Sequence, residues 1–154
     1  MTLSPARAAG FRTVLPGAET FVRADDALPH FRAYRPDPTT GEPDLVGFVF
    51  LTHEVVPDEV AYAGRIEILI GMTPAGVITG VEVQGHDEPY GYFSIDEKAF
   101  AVQFTDKSIL NRLTVGDDID SVTRATITVE GATRAIRKSA RKIARQYLSE
   151  RQGQ

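Results

Sequence analysis

Hydrophobic and polar positions along the chain predict a series of β-strands followed by one long terminal helix. Residues 45–55 form an apolar run with few polar breaks, which indicates a strand buried on both faces. Residues 65–71 and 77–83 have strand patterns, and Pro74-Ala75-Gly76 between them predicts an antiparallel hairpin. With a further strand at 30–35, the middle of the chain is predicted to be an antiparallel meander.

Three segments have helical patterns. Residues 6–15 predict a short helix that Pro16-Gly17 ends. A second helix is expected from Ser94, because Ser94-Ile95-Asp96-Glu97 has the spacing of a capping box. The last helix is expected over about residues 128–149, with a length of roughly 30 Å. Its apolar residues at helical spacing are Ala132, Ile136, Ala140, Ile143, Tyr147 and Leu148. The predicted fold class is α+β: an antiparallel sheet flanked by helices, with the longest helix last.

Composition and charge restrict the possible functions. A chain of 154 residues has the length of one domain. The absence of cysteine excludes disulfides, iron–sulfur ligation, thiolate catalysis and covalent haem attachment. The net charge is −4, but residues 128–154 carry seven Lys or Arg against two Glu. An acidic body with one basic helix does not indicate a nucleic-acid binder. The basic helix is either a solvated face or a contact surface for lipid headgroups or an acidic partner.

The most informative stretch for chemistry is residues 120–128, Asp-Ser-Val-Thr-Arg-Ala-Thr-Ile-Thr. It places hydroxyl side chains directly before the last helix, where unpaired backbone N–H groups and the helix dipole favour a phosphate. A threonine there is suited to bind a phosphate or to carry one covalently. The alternative is structural: Thr128 is an N-cap, and Thr123 and Thr126 are strand residues.

The same stretch resembles the attachment motif of FMN-binding domains, in which Asp-x-x-Ser/Thr-Gly-Ala-Thr carries FMN through a phosphodiester bond to the final threonine. Such domains occur in subunits of sodium-pumping NADH:quinone oxidoreductase, in Rnf complexes and in membrane regulators of nitrous oxide reduction. Asp120, Thr123, Ala125 and Thr126 match the motif. Arg124 stands where glycine is usual, and in this it resembles the nitrous-oxide-regulator branch.

The resemblance implies that Thr126 carries FMN, with the phosphate close to the N–H groups of residues 128–131. We expect Thr126 to lie outside the helix proper, so that its hydroxyl is reachable by an attaching enzyme. Thr128 remains a lesser candidate for attachment. So does Thr133, which follows Gly131-Ala132 in the same Gly-Ala-Thr order but within the predicted helix.

Two further segments resemble parts of the flavin site in this family. The loop at residues 85–92 resembles the segment near the isoalloxazine ring, and Tyr90 or Tyr92 is suited to stack on that ring. The residues kept from the pattern are His86, Glu88, Pro89 and Gly91. The segment at 62–66 resembles one that frames the site, where Gly64 would allow close approach of the ligand. The alternatives are a surface turn with packing tyrosines, and a core strand with its turn.

The resemblance runs over about residues 11–148 and implies a single FMN-binding domain over 1–154. The implied function is a flavin-carrying electron-transfer domain, loaded by a separate flavin transferase that uses FAD and Mg²⁺, with Asp120 and Thr123 helping that enzyme to recognise the site. No substrate turnover of its own is expected, because no catalytic acid/base pair stands near the motif, and the three histidines lack metal-ligand spacing. Two alternatives remain: a sensor or docking module that binds FMN reversibly, and a structural domain without a cofactor.

The expected location follows from the resemblance more than from the sequence. No apolar run approaches the roughly 18 residues needed to span a bilayer, and residues 1–5 lack a signal pattern. The chain is therefore expected to be cytoplasmic or a soluble part of a membrane or exported protein. The resemblance favours the second, with a periplasmic or extracytoplasmic location and a membrane redox partner.

Overall fold

The computed structural model describes residues 3–25 and 27–152, so Met1 and Thr2 of the N-terminal pattern lie outside it. In that part of the chain, five antiparallel strands form one sheet in their sequence order. The strands are β1 (Thr20–Ala24), β2 (His30–Pro36), β3 (Pro43–Leu51), β4 (Glu67–Met72) and β5 (Ile78–Gly85). The helices are α1 (Pro5–Val14), α2 (Thr52–Val55), α3 (Lys98–Ala101) and α4 (Thr126–Gln152). The predicted α+β class, with an antiparallel meander and a long last helix, is confirmed.

The sheet is covered on both faces, as the apolar run in β3 predicts. Phe48 and Phe50 belong to the larger core, which includes the buried face of α4. Val49, between them, belongs to a second core under α1. Because successive side chains of a strand point to opposite faces, this division puts α1 and α4 on opposite sides of the sheet.

Two glycines allow α1 to lie directly on the sheet. Gly71 and Gly80 are cross-strand partners in β4 and β5. A Cβ atom on Gly71 would lie 2.2 Å from the carbonyl oxygen of Val14, and one on Gly80 would lie 2.8 Å from the Val14 Cα. The end of α1 therefore packs at a distance that any larger residue at these positions would prevent.

Two of the wrongly predicted element boundaries lie where a hydroxyl has a different partner. The strand predicted to reach residue 55 ends at Leu51, and α2 follows. The Thr52 hydroxyl donates to the Ile66 carbonyl and accepts from the Ile68 amide, both at 3.0 Å, so it takes the place of a backbone ladder contact. The helix predicted from Ser94 begins only at Lys98, because the Ser94 hydroxyl donates to the Tyr90 carbonyl at 2.7 Å.

The last helix is longer than predicted, and most of its predicted core face is buried. Ala132, Ile136, Ala140 and Ile143 are buried, and Tyr147 packs edge-on against Phe48 with ring centroids 5.0 Å apart. The prediction that Leu148 shares this face is wrong, since its side chain is 49% exposed. It lies twelve positions after Ile136, about 120° around the helix, which places it beyond the buried stripe. No helix in residues 3–25 and 27–152 has the length and apolar character needed to cross a bilayer.

Candidate functional site

A tight turn leads into α4 and fixes where the helix begins. The Ala125 amide donates to the Val122 carbonyl at 3.0 Å, which closes the turn. The first α-helical hydrogen bond into the turn runs from the Val129 amide to the Ala125 carbonyl, at 2.9 Å. The amides of residues 126–128 therefore precede the first intrahelical bond and point out of the helix end. The sequence predicts that the free amides at the helix start are those of residues 128–131. This prediction is displaced along the chain, because α4 begins at Thr126.

Thr126 is the first residue of α4, so the expectation that it lies outside the helix is wrong. Its side chain is nevertheless exposed, since no preceding helical turn covers it. The hydroxyl of Ser121 is 3.5 Å from that of Thr126, which is longer than an ordinary O–H···O bond. The hydroxyl that the motif singles out is thus reachable from solvent.

The other candidate threonines have different surroundings. Thr128 is buried within the first turn of α4 and donates its hydroxyl to Glu88 at 2.7 Å. It is not an N-cap, and Thr126 is not a strand residue, so the structural alternative is wrong on both points. Thr133 is buried deeper in α4, and its hydroxyl has no hydrogen-bond partner in the described part of the chain. Thr123 is exposed in the turn.

The backbone conformation at Arg124 explains why glycine is usual at this position of the motif. Its φ is +73°, and it is the third residue of the turn from Val122 to Ala125. A turn with positive φ at its third position favours glycine, since a side chain in the left-handed region meets its own backbone. Arginine therefore occupies a position whose conformation suits the glycine that is usual there.

Replacing Arg124 with glycine is expected to stabilise the fold by about 0.5–1 kcal/mol, which is the relieved strain less the extra chain entropy of glycine. The measurement is the midpoint of urea unfolding. Arg124→Ala is the matched variant, because it removes the guanidinium group but keeps Cβ and the strain. Equal stability of the two variants would contradict the explanation from backbone conformation.

Glu88 joins the predicted loop to both sides of the site. Its side chain is buried and accepts three hydrogen bonds. The donors are the amide of Tyr62 at 2.9 Å, the amide of Ala63 at 2.5 Å and the hydroxyl of Thr128 at 2.7 Å. One carboxylate therefore fixes the segment around residue 62 against the first turn of α4.

His86 and Gly91 stabilise the loop that presents Glu88. The Glu88 amide donates to His86 Nδ1 at 3.1 Å, so the neutral ring carries its proton on Nε2 and donates it to Asp96 at 2.8 Å. A Cβ atom on Gly91 would lie 2.2 Å from the imidazole ring of His86. Any larger residue at position 91 would therefore displace the histidine ring. Pro89 is exposed in the following turn.

A hollow of about 270 Å³ adjoins Thr126. This volume is close to the lower end of the range for small-molecule pockets, roughly 300–1,000 Å³. The lining residues are Tyr62, Tyr90, Arg124, Ala125, Thr126, Ile127 and Thr128. The tyrosines are 64% and 46% exposed, so their rings remain accessible to a bound molecule.

The hollow brings together only part of the predicted site. Five of the predicted residues line it: Tyr90, Arg124, Ala125, Thr126 and Thr128. The other seven predicted residues do not line it: Asp120, Thr123, His86, Glu88, Pro89, Gly91 and Gly64. Gly64 has a φ of +127° and its carbonyl accepts from the Ala61 amide at 2.7 Å, so it shapes the turn that carries Tyr62. The exposed Asp120 is placed through its amide, which donates to the side chain of Gln103 at 2.8 Å.

Ile127 lines the hollow and was not predicted. It is 58% exposed. It lies nine positions before Ile136, about 180° around the helix from the core face. An isoleucine on the polar side of an amphipathic helix is the signal that would have identified it.

Residues 61–141 match the model of the FMN-binding domain family. The chain belongs to this family. Every residue that lines the hollow lies within the matched range. The chain is also similar to a subunit of the proton-translocating ferredoxin:NAD(+) oxidoreductase complex of Clostridium ljungdahlii, with 33% identity over 97 residues, covering 58% of this chain. The matched region spans about half, 52%, of that relative.

Proposed function

We propose that this protein is a flavin-carrying electron-transfer domain in which FMN is attached to Thr126 by a phosphodiester bond. The observation that carries the proposal is the exposed hydroxyl of Thr126 at the start of α4, beside a hollow, in a member of the FMN-binding domain family. When bound, FMN supplies the uptake and release of electrons. The protein supplies attachment, orientation and partial exclusion of water.

Attachment would be made by a separate flavin transferase that uses FAD and Mg²⁺. The Thr126 oxygen forms a bond to the FMN phosphorus of FAD, the phosphoanhydride bond breaks, AMP leaves, and the hydroxyl proton is released to solvent or a base. In this proposal the enzyme recognises Asp120 and Thr123, which are exposed and lie close before Thr126 in the chain. This chain needs only to keep the hydroxyl accessible to that enzyme, which agrees with the absence of an acid/base pair in the motif.

The residues around Thr126 suit a flavin phosphate and ring. A phosphodiester keeps one negative charge, which the amides of residues 126–128 and the helix dipole stabilise by about 0.3–1 kcal/mol. Arg124 lines the same hollow and adds a positive charge. Tyr62 and Tyr90 provide aromatic faces that line this hollow, and Ile127 provides an apolar side chain there.

The proposed setting is an extracytoplasmic or membrane-associated redox chain with a membrane redox partner. It is supported by the similarity to a subunit of an oxidoreductase complex. Because the similarity covers about half of that protein, the partners and the location are part of the proposal. The domain is expected to relay electrons without substrate turnover of its own.

Coexpression with a flavin transferase tests the proposal. The intact mass is expected to rise by the mass of one FMN moiety. The purified protein is expected to stay yellow when it is denatured. An unmodified mass under conditions that load a known acceptor domain would refute covalent attachment. Saturable binding of free FMN by that unmodified protein would then indicate the reversible sensor or docking module. No binding of FMN would indicate a structural domain.

A further inference from the structure

A second cavity in the described part of the chain lies apart from the hollow at Thr126. It has a volume of about 480 Å³ and lies between α4 and the segment that follows α2. Its lining is Val56, Pro57, Asp58, Glu59, Arg137, Lys138, Arg141, Lys142 and Arg145. It shares no lining residue with the hollow at Thr126. Five cations against two carboxylates make it strongly positive.

One of the two carboxylates is already neutralised by cations. Glu59 accepts from Lys138 and, at 2.7 Å, from Arg134. Burial acts to raise the pKa of Glu59, but the hydrogen bonds and the positive charges of Lys138 and Arg134 together lower it. The positive charge that remains in the cavity is therefore carried by the other four basic side chains.

Two of the four cations are held in place without an anionic partner. Arg137 donates to the Leu113 carbonyl at 2.9 Å, and Arg141 donates to the carbonyls of Ile109 and Asn111 at 3.0 and 2.9 Å. Neutral carbonyls fix the guanidinium groups but leave their charge uncompensated. Burial and the nearby charges of Arg141 and Arg134 lower the pKa of Arg137, as expected where like charges are crowded.

The other two cations, Lys142 and Arg145, are exposed. Neither has an ion-pair partner within residues 3–25 and 27–152, and nor does Arg137 or Arg141. A solvated helix face would carry its charges on freely moving side chains. Here carbonyl groups hold two guanidinium groups, and two exposed cations lie on the adjoining turn, around a concave space. This arrangement suits an anion with several acceptor oxygens.

We propose that this cavity is a binding site for a phosphate-bearing anion, held by Arg137 and Arg141 and completed by Lys142 and Arg145. The planar guanidinium groups match phosphate oxygens, and the lysine adds a point charge. The phosphate belongs either to a small soluble molecule or to the headgroup of an anionic lipid. The site does not depend on the flavin function, because it lies on a different part of α4.

The test uses inorganic pyrophosphate and the complete chain expressed without a flavin transferase. Calorimetry is expected to show one saturable site. Lys142→Gln with Arg145→Gln is expected to weaken binding about tenfold for each charge removed. Neither side chain makes a hydrogen bond in the described structure, so the melting temperature should not change. The matched control is Arg35→Gln with Lys98→Gln, which removes the same charge from exposed positions elsewhere and should leave the affinity unchanged.

A second arm identifies the source of the phosphate. Cosedimentation is measured with phosphatidylcholine vesicles that contain or lack phosphatidylglycerol. Binding only to the anionic vesicles, lost in the Lys142/Arg145 variant, assigns the site to a lipid headgroup, whereas pyrophosphate binding without vesicle binding assigns it to a soluble phosphate. The proposal is overturned if neither probe binds or if the control variant weakens binding equally. It is also overturned if Arg124→Gln abolishes pyrophosphate binding, because the start of α4 would then be the site.

Discussion

Replacing Thr126 with valine is expected to remove the whole mass increment that a flavin transferase adds to this chain. Valine keeps the β-branched shape of threonine but has no oxygen to bond to phosphorus. Thr126 is exposed at the first position of α4, so the change in unfolding free energy should stay within about 0.5 kcal/mol. The measurement is the intact mass after coexpression, with the urea midpoint to verify that the variant folds.

Two variants separate the chemistry of Thr126 from its shape. Thr126→Ser restores the hydroxyl without the methyl group and is expected to restore loading. Thr133→Val removes the hydroxyl from the other Gly-Ala-Thr sequence and should leave the mass increment intact, because Thr133 is buried in α4. Full loading of the valine variant at position 126 would show that the flavin is attached at another residue.

The sheet and the last helix were predictable because burial leaves a regular pattern. The apolar run in β3 implied two covered faces, and the 3.6-residue spacing in α4 identified most of its buried side chains. The errors came from hydroxyl groups with partners that local sequence does not reveal. Thr52 pairs with backbone groups of Ile66 and Ile68, and Ser94 pairs with the Tyr90 carbonyl. A capping-box spacing cannot predict that its serine will be used elsewhere.

The candidate site was predictable where a motif is local in sequence. The motif singled out Thr126, but the start of the helix was placed two residues late, because the turn at Arg124 has a conformation that arginine rarely adopts. The resemblance also located the loop around Glu88. What it did not reveal is that this carboxylate is enclosed by three donors from two distant segments. Such a network depends on the tertiary fold, which residue types alone do not specify.

Replacing Glu88 with alanine is expected to destabilise the protein by about 3 kcal/mol, since a buried acceptor is lost and its donors are left unpaired. The hydroxyl of Thr128 is buried away from water and would stay unpaired. Tyr62 and Ala63 lie at the surface, so water can replace part of the hydrogen bonding that their amides lose. About 3 kcal/mol is a large fraction of a typical stability of 5–15 kcal/mol. Urea unfolding followed by circular dichroism measures the effect.

The controls for Glu88 test whether the network or the charge is responsible. Glu97→Ala removes an exposed carboxylate that caps no amide of α3, and it should change stability by less than about 0.5 kcal/mol. Thr128→Val removes one of the three donors. It is expected to lower the free energy of unfolding by less in the Glu88→Ala background than in the native chain, because the two side chains share one hydrogen bond. Additive losses would contradict the coupling. If the coupling holds, Glu88→Ala should also reduce flavin loading under conditions where the variant is folded, since the same carboxylate binds the Tyr62 amide and the Thr128 hydroxyl and both residues line the hollow.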